Sequence, residues 1–253
     1  MKRSPAILAA AAAVTVCLAA CADSGQTLQG EARASAAPAA TAAPPSTPGA
    51  PDPVVTPRTV ALAVHMHSQQ DPDWCDPADL QTWLELDGVT QPADAVGAQR
   101  AIWNYEIAHN DGFTLAQWHA SPYAVAAAFD HFANRTDVGD QVYDRVEDAG
   151  LVIARSIAQR HEPVIALIDD GNHYVLVSGV TLGSGGVTAP PLSVTVHDPW
   201  AYGPMRLDYP ALGLTVEMGW SDFARHLSPD DPHDVGIWSG HRVLIAAGLP
   251  LRG

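Results

Sequence analysis

The stretch SQQDPDWCDPADLQTW, Ser68 to Trp83, places one cysteine, Cys75, between an acid-rich turn and the start of a helical pattern. A cysteine does nucleophilic chemistry as its thiolate, and a helix N-terminus together with a histidine partner favours that form. Asp76 suits the N-cap, Pro77 the first helical position and Asp79 the third, where an acid meets the positive end of the helix dipole. Cys75 then sits just ahead of the helix, where its free N–H groups point. The chemistry this permits is acyl transfer to a thiol. The chain also holds eleven histidines, which raises metal binding as a second possibility. His65-Met66-His67 puts two imidazoles on one face of a strand, with Cys75 or Asp198 available to complete a set. No CxxC or HExxH-like spacing accompanies them, and the other histidines are scattered singly. Ordinary surface or core roles account for them, and the sequence leads us to expect neither a metal nor another cofactor.

The elements that must position Cys75 fall in two halves. A helix is expected from Asp76 or Pro77 through LQTWLEL to a stop at Asp87-Gly88. Pro92 opens a second through AVGAQRAIWNYEIAHN, Ser121-Pro122 caps a third, and EDAGLVIARSIAQRH carries a fourth. The period then changes. PVIALID (163–169), HYVLVSGVT (173–181), LSVTVHD (192–198) and RVLIAAG (242–248) are β-branched runs bounded by Gly, Pro and Asp, so they read as strands. Val60–Val64 is a further short strand, and DGNH is a tight turn between the first two of the later strands. Helices first and an antiparallel sheet afterwards imply an α+β domain.

Ahead of this domain, residues 1–20 have a basic start at Lys2 and Arg3, an apolar run and small residues at the end, the layout of a secretory signal. Leu18-Ala19-Ala20-Cys21 resembles a bacterial lipobox, which implies cleavage before Cys21 and lipidation of that residue. The expected location is the cell membrane, lipid-anchored on its extracytoplasmic side. Residues 21–58 are Ala, Pro, Ser, Thr and Gly with hardly a large apolar side chain, a composition that reads as a disordered tether. Residues 59–253 remain for the folded domain. The formal charge of −15 would be repelled by a phosphate backbone, so no nucleic-acid partner is expected. With Cys17 in the signal and Cys21 lipidated, Cys75 has no cysteine left to pair with.

Gln69…Trp74-Cys75-x-Pro77-Ala78…Leu80-Gln81 resembles the nucleophile segment of papain-like cysteine peptidases, nearest among them the bacteriocin leader-processing (double-glycine) peptidases. The likeness extends to Pro163-Val164-Ile165-Ala166-Leu167 followed by Gly171-Asn172-His173, and to Asp198-Pro199-Trp200 closing the next strand. The resemblance implies a papain-like fold, a peptide or protein substrate, and a triad of Cys75, His173 and Asp198. His173 would take the Cys75 proton and later protonate the leaving amine, while Asp198 would hold the other imidazole nitrogen. Gln69, six residues before the cysteine, would donate its amide to the oxyanion beside the Cys75 N–H. Trp74 and Trp200 flank this site and are expected to shape it for substrate, together with Asp76.

Asp76 departs from the family pattern, which usually has glycine there. A carboxylate beside a thiol opposes thiolate formation, unless it turns back to cap its own helix. Asp71 and Asp73 add to the negative field and would select basic substrates. The expectation is therefore an exported cysteine peptidase. The alternatives are a silent domain of the same fold that binds peptide or cell-wall material, and a thiol amidase or acyltransferase.

Overall fold

A computed structural model describes residues 56–202, 215–227 and 236–248. The signal segment, Cys21 and nearly all of the expected tether lie outside the described residues. The first strand, β1 (Arg58–Ala61), begins one residue before the expected domain start and ends earlier than the expected Val60–Val64. Beyond it the chain has no regular secondary structure until the turn ahead of Cys75; the Leu62 N–H donates to the Ser178 carbonyl at 2.9 Å and the Val64 N–H to the Leu62 carbonyl at 3.1 Å.

Helix α1 spans Cys75–Leu86, so it begins at the cysteine itself and not at Asp76 or Pro77. Trp74 occupies the N-cap and no side chain caps the helix, which removes the capping role expected of Asp76. Helix α2 (Ala95–Ala108) starts later than Pro92 because Asp94 caps it, Oδ1 accepting the Gly97 N–H at 2.6 Å. Helix α3 (Pro122–Ala133) has the expected Ser121 cap with Pro122 in its first turn. Helix α4 (Val146–Arg155) runs into a π-turn, Ser156–Arg160, and together they cover the fourth expected helix.

Strands β2 (Val138–Tyr143), β3 (Val164–Ile168), β4 (His173–Leu182), β5 (Ser193–His197), β6 (Val216–Gly219) and β7 (Arg242–Ala247) complete one sheet with β1. The order is β2-β7-β3-β4-β5-β6, with β1 also on β4, and every pairing is antiparallel. A short helix, α5 (Trp220–His226), follows β6. The architecture is thus α+β, with the first three helices leading into a mostly later-formed antiparallel sheet. Neither β2 nor the β6–α5 unit was apparent in the sequence. No helix among the described residues is long and apolar enough to cross a membrane.

The central strands are apolar at consecutive positions because helices cover both faces of the sheet. In β3, Ile165 and Leu167 join a core with α1, α2 and α3, whereas Val164, Ala166 and Ile168 join a second core with α4 and α5. This is the period-2 alternation of a strand buried on both sides. The first core also holds Cys75, Trp83, Phe129 and Tyr174.

Candidate functional site

Three elements deliver the expected triad to one place. Cys75 is the first residue of α1, His173 the first of β4, and Asp198 follows directly on β5, the strand paired with β4. The β3–β4 connection is a four-residue loop, since Ile168 pairs with His173. Asp169, Asp170 and Gly171 all take left-handed backbone there (φ 52°, 57° and 77°). Such a run is costly for aspartate, and local bonds hold it. Asn172 donates from Nδ2 to the Asp169 carbonyl at 2.9 Å, and Asp169 is held by the His226 carbonyl and side chain.

His173 and Asp198 are both buried, and His173 Nε2 lies 2.8 Å from Asp198 Oδ1. The same Oδ1 accepts the Trp200 N–H at 2.9 Å. In the tautomer whose Nε2–H is directed to the carboxylate, Nδ1 is the nitrogen that accepts a proton. Trp200 stands edge-on to the His173 ring, 6.0 Å between centroids. His197, adjacent to Asp198, serves a different purpose: its Nε2 meets Ser178 Oγ at 2.7 Å and its Nδ1 meets Thr215 Oγ1 at 3.0 Å.

Cys75, His173, Asp76 and Trp200 line one cavity of about 270 Å³, with Asp73 and His119 at 3.3 Å from each other also in its wall. Two expected residues are placed elsewhere. Trp74 is buried and is not part of the cavity wall. Gln69 is buried too, and its Nε2 donates to the carbonyls of both Asp71 and Pro72 at 3.0 Å. Both amide hydrogens are therefore engaged in shaping the turn ahead of Cys75.

That turn is anchored on both sides. The Gln69 N–H donates to the Pro199 carbonyl at 3.0 Å, joining the cysteine segment to the one that carries Asp198. Gln99 of α2 accepts the Gln70 N–H and donates to the Ser68 carbonyl and to Gln81 of α1, each at 2.9 Å. A buried amide relay thus fixes the entry into α1 against α2 and against α1 itself.

The electrostatics around the thiol are unusual. Burial pushes the Cys75 thiol well above its ordinary range, the Asp76 charge adds to this, and the backbone N–H groups of Tyr174 and Asp76 oppose it. Cys75 Sγ lies 3.8 Å from Asp76 Oδ1. Burial raises Asp76 to about 7, and raises Glu106 of α2 well above the usual carboxylate range beside it. Asp79, one turn along α1, is raised as well, by burial first and then by Asp198 and Asp76. Two carboxyl groups buried together are stable as an acid–carboxylate pair sharing a proton. Glu106 went unnoticed in the sequence, although it sits four residues after Ile102 on the buried side of α2.

No family model matches the chain, and no curated protein does. Among solved structures it is similar to a double-glycine motif protease from an AMS/PCAT transporter, determined with its leader peptide. The identity is 14%, over 74% of this chain and 95% of that one, with a TM-score of 0.40. It is also similar to the peptidase domain of Streptococcus ComA, a bi-functional ABC transporter involved in quorum sensing. There the identity is again 14%, over 72% of this chain and 97% of that one, with a TM-score of 0.36.

Proposed function

We propose that the protein is a lipid-anchored, extracytoplasmic cysteine peptidase that hydrolyses peptide bonds through an acyl-thioester on Cys75. The observation that carries this reading is that Cys75 and His173, nearly a hundred residues apart, line one cavity while His173 Nε2 is held 2.8 Å from Asp198. His173 accepts the thiol proton at Nδ1, and Asp198 fixes the ring and stabilises the imidazolium. The thiolate attacks the substrate carbonyl, and the amine departs with the proton returned by His173. Water, deprotonated by the same imidazole, then releases the acid and the free thiol. Because burial and Asp76 raise the thiol, a thiolate in this cavity exists chiefly as the partner of the His173 imidazolium. The Cys75 N–H at the helix start serves the oxyanion, and Gln69 joins it only by releasing the Asp71 and Pro72 carbonyls. Asp73 in the cavity wall favours a cationic side chain in the substrate. The anchor is the lipidated Cys21.

A second reading has its own support: a domain of the same fold with an inert thiol that binds peptide. The engaged Gln69 amide and the carboxyl beside Cys75 favour it. Incubating the full chain and its Cys75→Ala variant with a complex peptide mixture, and identifying new termini by mass spectrometry, separates the two. Cleavages present with the native chain and absent with the variant support the peptidase. Retention of peptides by both proteins without any cleavage supports the binding domain.

A further inference from the structure

The segment between β1 and the turn ahead of Cys75 carries His65-Met66-His67, and exposure alternates along residues 61–66 as it does in a strand. Val64 and Met66 pack against the core formed with α1–α3, so His65 and His67 share the opposite side. Thr82 of α1 secures this register: its hydroxyl accepts the His67 N–H at 3.0 Å and lies 3.5 Å from Met66 Sδ. Residues three apart share a helix face, and three beyond Thr82 stands Glu85. Its two oxygens each meet one imidazole. Oε2 is 2.5 Å from His67 Nε2, and Oε1 is 3.6 Å from His65 Nδ1. The two rings stand nearly perpendicular with centroids 5.1 Å apart, and one potential ligand atom from each of the three residues lies within 4.8 Å of the others.

We propose that His65, His67 and Glu85 form a binding site for a divalent transition cation of the Zn²⁺ class, separate from the Cys75 cavity. Two imidazoles and one carboxylate are a ligand set that zinc accepts and that calcium and magnesium, which prefer oxygen, do not. Ligand atoms bound to one zinc at about 2.1 Å stand roughly 3–3.5 Å apart. His67 and Glu85 stand closer than that and must part slightly to admit the ion, while His65 must draw in. Its side chain is 78% exposed and free to do so. Zinc bound by these three side chains would take water or an external group as its fourth ligand. In the sequence, Cys75 and Asp198 are the candidates for a third ligand, and the histidine pair is set aside because no CxxC or HExxH-like spacing accompanies it. The fold supplies the third ligand from α1 instead.

Binding here would clamp the segment that leads to Cys75 onto α1, stabilising the folded state by linkage. The test is calorimetric titration of Zn²⁺ into the chelator-stripped full chain, its Cys75→Ser variant, and His65→Ala and Glu85→Gln. The expected result is one site of micromolar or tighter affinity in the native chain and in Cys75→Ser. Binding should weaken at least about tenfold in His65→Ala and in Glu85→Gln, with Mg²⁺ in excess unable to compete. His65 is exposed, so its replacement leaves the fold intact and the comparison valid. Absence of a site tighter than millimolar, loss of binding in Cys75→Ser, or affinity unchanged in both His65→Ala and Glu85→Gln would overturn the proposal.

Discussion

The two faces of the sheet are built on different terms. The face covered by α4 and α5 buries Ile153, Ile157, Val177, Phe223 and Leu244 in an almost wholly apolar core. The face covered by α1–α3 also buries large side chains, yet it holds Cys75, Asp76, Asp79 and Glu106 in the same layer. Oxygens of all three acids lack hydrogen-bond partners if the groups are ionised, so their burial is tolerable chiefly when protons are retained. One face therefore supplies stability at little electrostatic cost. The other surrenders some of it to hold a thiol, an imidazole and a cluster of acids together.

Substitutions can break this contrast, and the largest effect belongs to the polar face. Cys75→Ala should reduce peptide cleavage by about 10⁴-fold or more with no loss of thermal stability, measured as kcat/KM beside a melting curve. Asp198→Asn follows, with a fall of about 10³-fold, because the imidazole loses the carboxylate that sets its tautomer and stabilises its charge. On the apolar face the expectation reverses. Ile153→Ala should cost about 3 kcal/mol in denaturant unfolding, while the activity of the folded fraction stays unchanged.

Asp76→Asn sharpens the comparison with a smaller, pH-dependent effect. Removing the carboxylate should lower the Cys75 thiol pKa, read from alkylation rates against pH. The same variant changes the stability profile. The folded-state pKa of Asp76 is raised to about 7, so its contribution is fully present below about pH 4 and is lost as pH rises to about 7. Equilibrium unfolding should show the native chain losing stability relative to Asp76→Asn across that window.

The parts legible in the sequence were those with local causes. Ser121-Pro122 starts a helix through its own side chain and ring, and the Val, Ile and Leu runs of β3, β4 and β7 read directly as buried strands. Cys75 stood out as an unpaired cysteine at a helix start, whereas His173 and Asp198 were named through the resemblance to papain-like peptidases. Glu106 did not, since an acid in a helix ordinarily faces water and only the packing of α2 against α1 turns it inward. Of the two readings of Asp76, the cap fails because the helix begins one residue earlier, and the carboxyl lies beside the thiol. The Gln69 amide depends on carbonyls of a turn whose conformation no local rule specified. Helix α5 and β6 are too short to show a period.

The central claim is that Cys75 is a nucleophile activated by His173 and Asp198 despite its buried, acidic surroundings. Its most direct test is the rate of Cys75 alkylation by iodoacetamide against pH, followed on the Cys75 peptide by mass spectrometry, for the native full chain and for His173→Ala. The account predicts labelling that persists well below pH 8 in the native chain and disappears in the variant. Labelling that rises only at strongly alkaline pH, and equally in both proteins, would contradict it and leave the peptide-binding domain as the better description.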